Sequence, residues 1–394
     1  MLTTILLVGV RLTDSLTLSA ALSLARANRP MMRAAAATVA EARAQLRTAG
    51  AIPNPAVGYS HTEDTPREHL TVQQPFDWLL RRGSERAAAA SGVTRARADS
   101  TRSAAELVAE VRRAFYGALA AREALRLIES EALVADSLAV LSGRRLAQGD
   151  IAAMEHDRIR LEAARVRQLV TKARAALAGQ ALALRRAIAW TDSGPLPDLS
   201  GTLGDGLERA LVGFSRPAVA ALPVVAMARA DSVAATWRAR GVRRGRLPMP
   251  GIEFGADWAD PALPGRTLWL FGLSVPLPLW NQNGGELAAA RARGDQANAL
   301  LAETRLEAER QVAGAQLRLR DAATRAIAAR DSLVPAGRRL RAQAVLAYQL
   351  GETGVLPVLD ALRAEREIES AALEDLLVFQ EALASWYALT GAGD

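Results

Sequence analysis

Two stretches, 85–146 and 285–348, restrict this chain's folds more than any other feature. Each is built of Ala, Arg, Leu and Glu; the first holds no proline and the second only Pro335. Residues of this kind favour helix, and about 60 of them at 1.5 Å each would span roughly 90 Å. Pro335 predicts a bend in the second stretch. Shorter helical tracts flank them, 19–49 and 155–188 in the first half, 217–245 and 355–388 in the second. Two short tracts laid end to end match one long tract. Nothing compact is that long, so the pattern predicts an elongated bundle or tube of helices, with Ala allowing close packing.

Both halves are written in the same order. Arg29-Pro30 and Arg216-Pro217 each lie in a helical stretch, followed by the P-x-P steps Pro53/Pro55 and Pro248/Pro250. QQPFDWLLRRGSER answers to SVPLPLWNQNGGELAAARA, and LAQGD answers to YQLGE. Equivalent landmarks lie about 190–200 residues apart, which predicts an internal duplication rather than a solenoid of short units. Residues 16–200 form the first repeat and 201–394 the second, the two making one domain; 1–15 stay unassigned. The apolar start MLTTILLVGVRL fits either the remnant of a secretory signal or a leading strand or coil.

Strand signals sit between the helical tracts. In 251–258, Ile252, Phe254, Ala256 and Trp258 alternate with Glu253, Gly255 and Asp257. The run 267–275 is apolar and ends at Pro276, while Val57, Tyr59 and His61 alternate in the first half before Leu70 and Val72. One hairpin per repeat is expected, over 54–76 and 250–276, with strands of about nine residues, enough to cross a bilayer when tilted. Tyr59, Phe76, Trp78, Phe254, Trp258, Trp269, Phe271 and Trp280 all fall in or beside these hairpins, in a chain that is only 4% aromatic. That concentration suits a membrane interface. On this pattern Ile252, Phe254 and Trp258 face lipid, and Glu253 and Asp257 face a lumen.

Composition removes other classes. Cysteine is absent, which excludes thiol catalysis, Cys-based zinc sites and a lipid-modified N-terminal Cys. The three histidines, His61, His69 and His156, form no H-E-x-x-H pair, and no P-loop or nucleophile elbow occurs. No catalytic constellation, cofactor or metal site is expected; Glu155, His156 and Asp157 are consecutive and point to different sides of a helix. The net charge of +7 comes from arginines interspersed with acids, Lys172 being the single lysine, so nucleic acid is not an expected partner.

Taken together, LTLSAALSLARANRP, AGAIPNP, QPFDWLLRRGSER, FGLSVPLPLWNQNGGELAAARA and YQLGETGVLPVLDALRAE resemble the TolC-like outer-membrane efflux family over nearly the whole chain. The F-G-L-S-V-P-L-P-L-W-N-x-N-x-G run is the most specific of them. The resemblance implies a mainly α protein with a small β part: a homotrimer whose helices form a periplasmic α-helical barrel. Each protomer adds four strands to a 12-stranded transmembrane β-barrel in the outer membrane. It further implies a passive exit duct in a tripartite efflux or type I secretion system, fed by an inner-membrane pump through a periplasmic adaptor. Q-P-F-x-W-x-x-R-R-G is similar to the branch serving heavy-metal cation exporters. The alternative is a soluble periplasmic coiled-coil adaptor or scaffold, which accounts for the helices but not for two matched strand pairs.

Gly149 and Gly351 are expected to close the two long tracts as positive-φ residues. The resemblance makes these turns the adaptor-contacting tip, with Leu146, Gly149, Leu350 and Gly351 as contacts. It also puts Asp360, in V-L-D-A, at the pore constriction, where threefold symmetry makes a cation-selective carboxylate ring. Pro357 suits a first helical turn, so a favourable place in the helix dipole is the local reading of Asp360. Glu155 is its first-half counterpart, and Arg145 is expected either to pair with an acid there or to lie free on the surface.

Overall fold

The computed structural model describes residues 15–391 apart from 77, 193, 195 and 281. Most of the 1–15 segment therefore lies outside the described residues. The chain separates into two compact units, each gathered from both halves of the sequence. One comprises Met1–Met32, Arg102–Pro217 and Arg310–Asp394; the other comprises Arg33–Thr101 and Ala218–Glu309.

In chain order the elements begin with β1 (Ser15–Thr17), α1 (Leu18–Asn28) and α2 (Pro30–Ala49). Then come β2 (Ala56–His61), β3 (Glu68–Pro75), α3 (Trp78–Gln148) and α4 (Ala153–Ala187). After β4 (Asp198–Ser200), α5 (Leu207–Val212) and α6 (Pro223–Arg244) follow β5 (Gly251–Trp258) and β6 (Leu268–Ser274). The chain finishes with α7 (Gly284–Ala328), α8 (Val334–Gln349) and α9 (Val355–Thr390).

Prolines account for the departures from the tracts read in the sequence. The stretch 19–49 is two helices, because Arg29 before Pro30 takes an extended conformation (φ −70°, ψ 120°) and Pro30 opens α2. In the second half Pro217 is outside any helix; a short 3-10 turn at Val219–Ala221 precedes α6, which starts at Pro223. The bend expected at Pro335 takes the form of a π turn, Ala329–Leu333, between α7 and α8. An extra residue per turn frees the carbonyl that the proline ring would strike. The first long tract starts earlier than read, at Trp78, and runs through Gly83.

The helical unit is packed by small residues in coiled-coil spacing. On α7 the buried positions Val312, Ala315, Leu319, Ala322 and Ala326 step by three and four. A second cluster joins Leu16 of β1 and Leu22 of α1 to Leu107, Val111, Phe115 and Leu119 of α3 and Leu184 of α4. Beside it β1 and β4 pair in parallel.

The other unit holds one antiparallel sheet in the order β2-β3-β5-β6. Its hairpins are joined through β3 and β5, and β2 and β6 stand at the edges. Helix α6 lies close to the start of α3: a Cβ built on Gly241 would sit 3.3 Å from the Ser84 Cβ.

Candidate functional site: a two-faced sheet and paired helix turns

Residues directly opposite in register share a face, so the pairing sorts every strand residue. One face carries the rows Val57–Val72–Phe254–Phe271 and Tyr59–Leu70–Ala256–Trp269, with Ile252 opposite Leu273. Phe254 packs against Trp269 and Phe271, ring centroids 5.3 and 5.0 Å apart. Most of these apolar side chains are exposed among the described residues, Phe271 by 80%, whereas Ala256 is buried. Trp258 shares this face with Ile252 and Phe254, where His61 and Glu68 pair at 2.9 Å and the Tyr59 hydroxyl donates to Glu68.

The opposite face is polar and lined with glycine. Its rows are Gly58–Thr71–Gly255–Leu270, Ser60–His69–Asp257–Leu268 and Ala56–Gln73–Glu253–Gly272. Gln73 donates to Glu253 at 3.0 Å, and His69 Nδ1 donates to Asp257 at 2.9 Å. Leu268 and Leu270 break the polarity, both on edge strand β6. Among the described residues the sheet thus has one largely exposed apolar face, one polar face and two unpaired edges.

The α3–α4 and α8–α9 turns are built alike. Gly149 and Gly351 both sit at φ 79°. The Gly149 and Asp150 N–H groups donate to the Leu146 and Arg145 carbonyls at 3.0 and 2.9 Å; those of Gly351 and Glu352 donate to Tyr348 and Ala347 at 3.1 and 2.9 Å. This pair of bonds satisfies carbonyls the helix end leaves orphaned, and the left-handed residue it needs is glycine. Both turns rest on one core of Leu138, Ile159, Tyr348, Val355, Val358, Leu359 and Leu362, drawn from α3, α4, α8 and α9. Leu146 is half-buried, while Leu350 is exposed.

Arg145 has its partners on α8 of its own chain. Its guanidinium lies 4.8 Å over the Tyr348 ring and donates to the Gln349 carbonyl at 3.1 Å, capping the end of α8. Among the described residues no acid lies within ion-pair distance of Arg145. Burial pushes the Tyr348 phenol up, and the nearby Glu155 charge adds to this while Arg145 opposes it. Glu155 lies in the first turn of α4. Asp360 is exposed on α9 just beyond its first turn, and its charge reaches Arg363 one turn later. No hydrogen bond or ion pair joins Asp360 to Glu155. His156 turns inward, its Nδ1 2.8 Å from the buried Ser142 hydroxyl. Among the described residues no three His, Cys, Asp or Glu side chains are arranged to hold a metal ion.

Sequence reading missed a buried charge cluster. Glu131 of α3, Glu162 of α4, and Glu365 and Glu369 of α9 are all less than a tenth exposed. Arg366 donates to Glu131 at 2.7 Å, Arg363 to Glu162 at 2.6 Å and Arg338 to Glu369 at 2.5 Å; Arg341 lies 3.1 Å from Glu365. The only signal was the charge spacing of Arg363, Glu365, Arg366 and Glu369, which also fits a solvated helix face.

These surfaces define a class: a mainly helical protein with a small sheet that has one largely exposed apolar face and two unpaired edges among the described residues. The match to a family model is direct. The outer membrane efflux protein family is matched over residues 21–189 and again over 225–392. The chain is 28% identical over 361 residues to the cobalt-zinc-cadmium resistance protein CzcC of Cupriavidus metallidurans, covering 88% of this chain and 83% of that one. Among solved structures it resembles CusC, with a TM-score of 0.80 and 19% identity, covering 95% of this chain and 92% of that one. It also resembles the open state of the Neisseria gonorrhoeae MtrE outer membrane channel, with a TM-score of 0.74 and 18% identity, covering 95% and 89%. The chain belongs to the outer membrane efflux protein family.

Proposed function

We propose that this protein is the outer-membrane exit duct of a tripartite efflux system and works as a homotrimer. Three four-stranded sheets join edge to edge, β6 of one protomer beside β2 of the next, into a 12-stranded barrel. The observation that carries this is the sheet itself. Open edges in lipid would strand backbone N–H and C=O groups, and closure with two further copies removes every edge. The bare face with Ile252, Phe254 and Trp258 then meets lipid, and the face with Glu253 and Asp257 lines water. The helices continue the duct into the periplasm, with substrate delivered by an inner-membrane pump through an adaptor.

The double family match, the two hairpins and the identical turns at Gly149 and Gly351 support a duplicated chain. Those turns, with Leu146 and Leu350, are the adaptor-contacting tip. Asp360, exposed just beyond the second turn, forms a ring of three carboxylates at the constriction, with Glu155 behind it. The likeness to a cobalt-zinc-cadmium resistance protein supports divalent heavy-metal cations as cargo. Such a ring favours cations by its charge. The duct itself supplies no energy.

Expression in an outer-membrane-bearing host, detergent extraction and cross-linking test the assembly. Stable trimers in the outer-membrane fraction are expected; a soluble periplasmic monomer would overturn it.

A further inference from the structure

Arg366 has two carboxylates within reach, on different helices. Its Nη1 lies 2.7 Å from Glu131 Oε1 on α3 and 3.8 Å from Glu162 Oε1 on α4. The two acceptors are not equivalent. Glu162 has both oxygens engaged by Arg363, at 2.6 and 3.4 Å, and has Arg165 at 3.6 Å. Glu131 offers Oε1 to Arg366 alone, and its buried Oε2 has no hydrogen-bond partner. Beside Glu131 is a polar cavity of about 240 Å³ between α3, α8 and α9, lined also by Arg338, Arg341, Glu365, Arg366 and Glu369. That volume holds several waters. A proton added at Glu131 Oε2 therefore breaks no existing bond and has a route in.

We propose that Glu131 and Arg366 form a proton-driven switch: when Glu131 takes up a proton, Arg366 leaves Glu131 on α3 and pairs with Glu162, so that α9 exchanges this tie to α3 for a second tie to α4. The step adds one proton to Oε2 and transfers one charge-assisted hydrogen bond from Glu131 to Glu162. Nothing else is consumed.

The surrounding charges set the order of events. Burial pushes the Glu131 carboxyl up, Arg366 opposes that, and the neighbouring Glu162 and Glu365 charges push it further up. Burial also acts on Glu162, but the Arg363 hydrogen bond and the charges of Arg363, Arg366 and Arg165 hold it below its ordinary value. Glu131 protonates while Glu162 is still an anion able to receive Arg366. On the far side of the cavity Arg341 holds Glu365 and Arg338 holds Glu369, tying α9 to α8. Glu365 is likewise raised by burial, but its partner is on α8, so its protonation leaves the Arg366 exchange intact. All of these contacts are within one chain, so the switch stands apart from the trimeric duct. Arg363 and Arg366 follow Asp360 on the same helix by about one and two turns.

Double-mutant cycles on the full-length protein test it, read as hydrogen-exchange protection of the α9 amides at about pH 8 and about pH 5, corrected for intrinsic rates. The cycles are Arg366→Gln with Glu131→Gln, and Arg366→Gln with Glu162→Gln. The first coupling should fall severalfold on acidification and the second should rise, with Glu365→Gln leaving both trends in place. Couplings that do not change with pH, or that change together, overturn the switch. A second readout uses the unmutated protein: the carbon-13 carboxyl resonance that Glu131→Gln removes should titrate above free glutamate. Titration at or below the free value also overturns it.

Discussion

Gly149 and Gly351 allow a backbone effect to be measured with little else changing. A Cβ built at either position meets nothing within 4 Å, so replacement by alanine adds no clash and buries no methyl group. What remains is the left-handed conformation at φ 79°, which costs an L-residue about 1–2 kcal/mol. The strain falls on the turn, whose bonds from Asp150 to Arg145 and from Glu352 to Ala347 close the helix ends. A local loss of about 1–2 kcal/mol speeds opening roughly 5–30-fold. Hydrogen exchange at the Asp150 amide of Gly149→Ala, and at the Glu352 amide of Gly351→Ala, should accelerate by that factor. Gly149→Asn should come close to the parent, because asparagine tolerates this region. Gly179, in the exposed interior of α4 with open space around its Cβ, is the control. There alanine should stabilise by about 0.5–1 kcal/mol. If Gly149→Ala exchanges like the parent, or no faster than Gly149→Asn, the account of the turn is wrong.

Three other outcomes follow from the same contacts. The Glu131 carboxyl is raised in the folded state, so its contribution to stability is present below about pH 4.3, the unfolded value, and is lost as pH rises through the folded value. Glu162 is lowered, so its contribution is present above the unfolded value and lost as pH falls through the folded one; denaturation curves across pH should show Glu131→Gln removing the first slope and Glu162→Gln the second. Ile252→Arg, on the apolar face, should cost about 2–4 kcal/mol of membrane stability and reduce the trimer recovered from outer membranes, whereas Glu253→Gln should leave recovery unchanged. Asp360→Asn should lower the cation preference of the channel in planar bilayers and weaken block by divalent cations; unchanged selectivity would leave Asp360 as a residue of the helix start.

The legible parts of the fold were those set by local rules. Ile252, Phe254 and Trp258 alternate with Glu253 and Asp257, and register only had to preserve that alternation. The glycines after the long tracts were readable because few other residues tolerate the left-handed closing position. Proline positions were legible but not their consequences. Pro30 opens a second helix, Pro217 stands outside one and Pro335 follows a π turn, because the outcome depends on the residue before each and on the neighbouring packing. The contacts of Arg145 were not legible because its partners, the Tyr348 ring and the Gln349 carbonyl, are about 200 residues away and neither is an acid. The Glu131–Arg366 and Glu162–Arg363 pairs were invisible for the same reason. Charges three or four apart on one helix look solvated until the facing helices are known.

The central claim, a water-filled barrel lined by one face of this sheet, is tested most directly by planar-bilayer conductance with single cysteines, since the chain has none of its own. Glu253→Cys and Ile252→Cys are adjacent on β5 and lie on opposite faces. A bulky charged thiol reagent added from the aqueous side should reduce the conductance of the Glu253→Cys channel stepwise, up to one step per protomer, and leave the Ile252→Cys channel unchanged. Absence of any channel from the unmodified protein, or equal loss at both positions, would contradict the account.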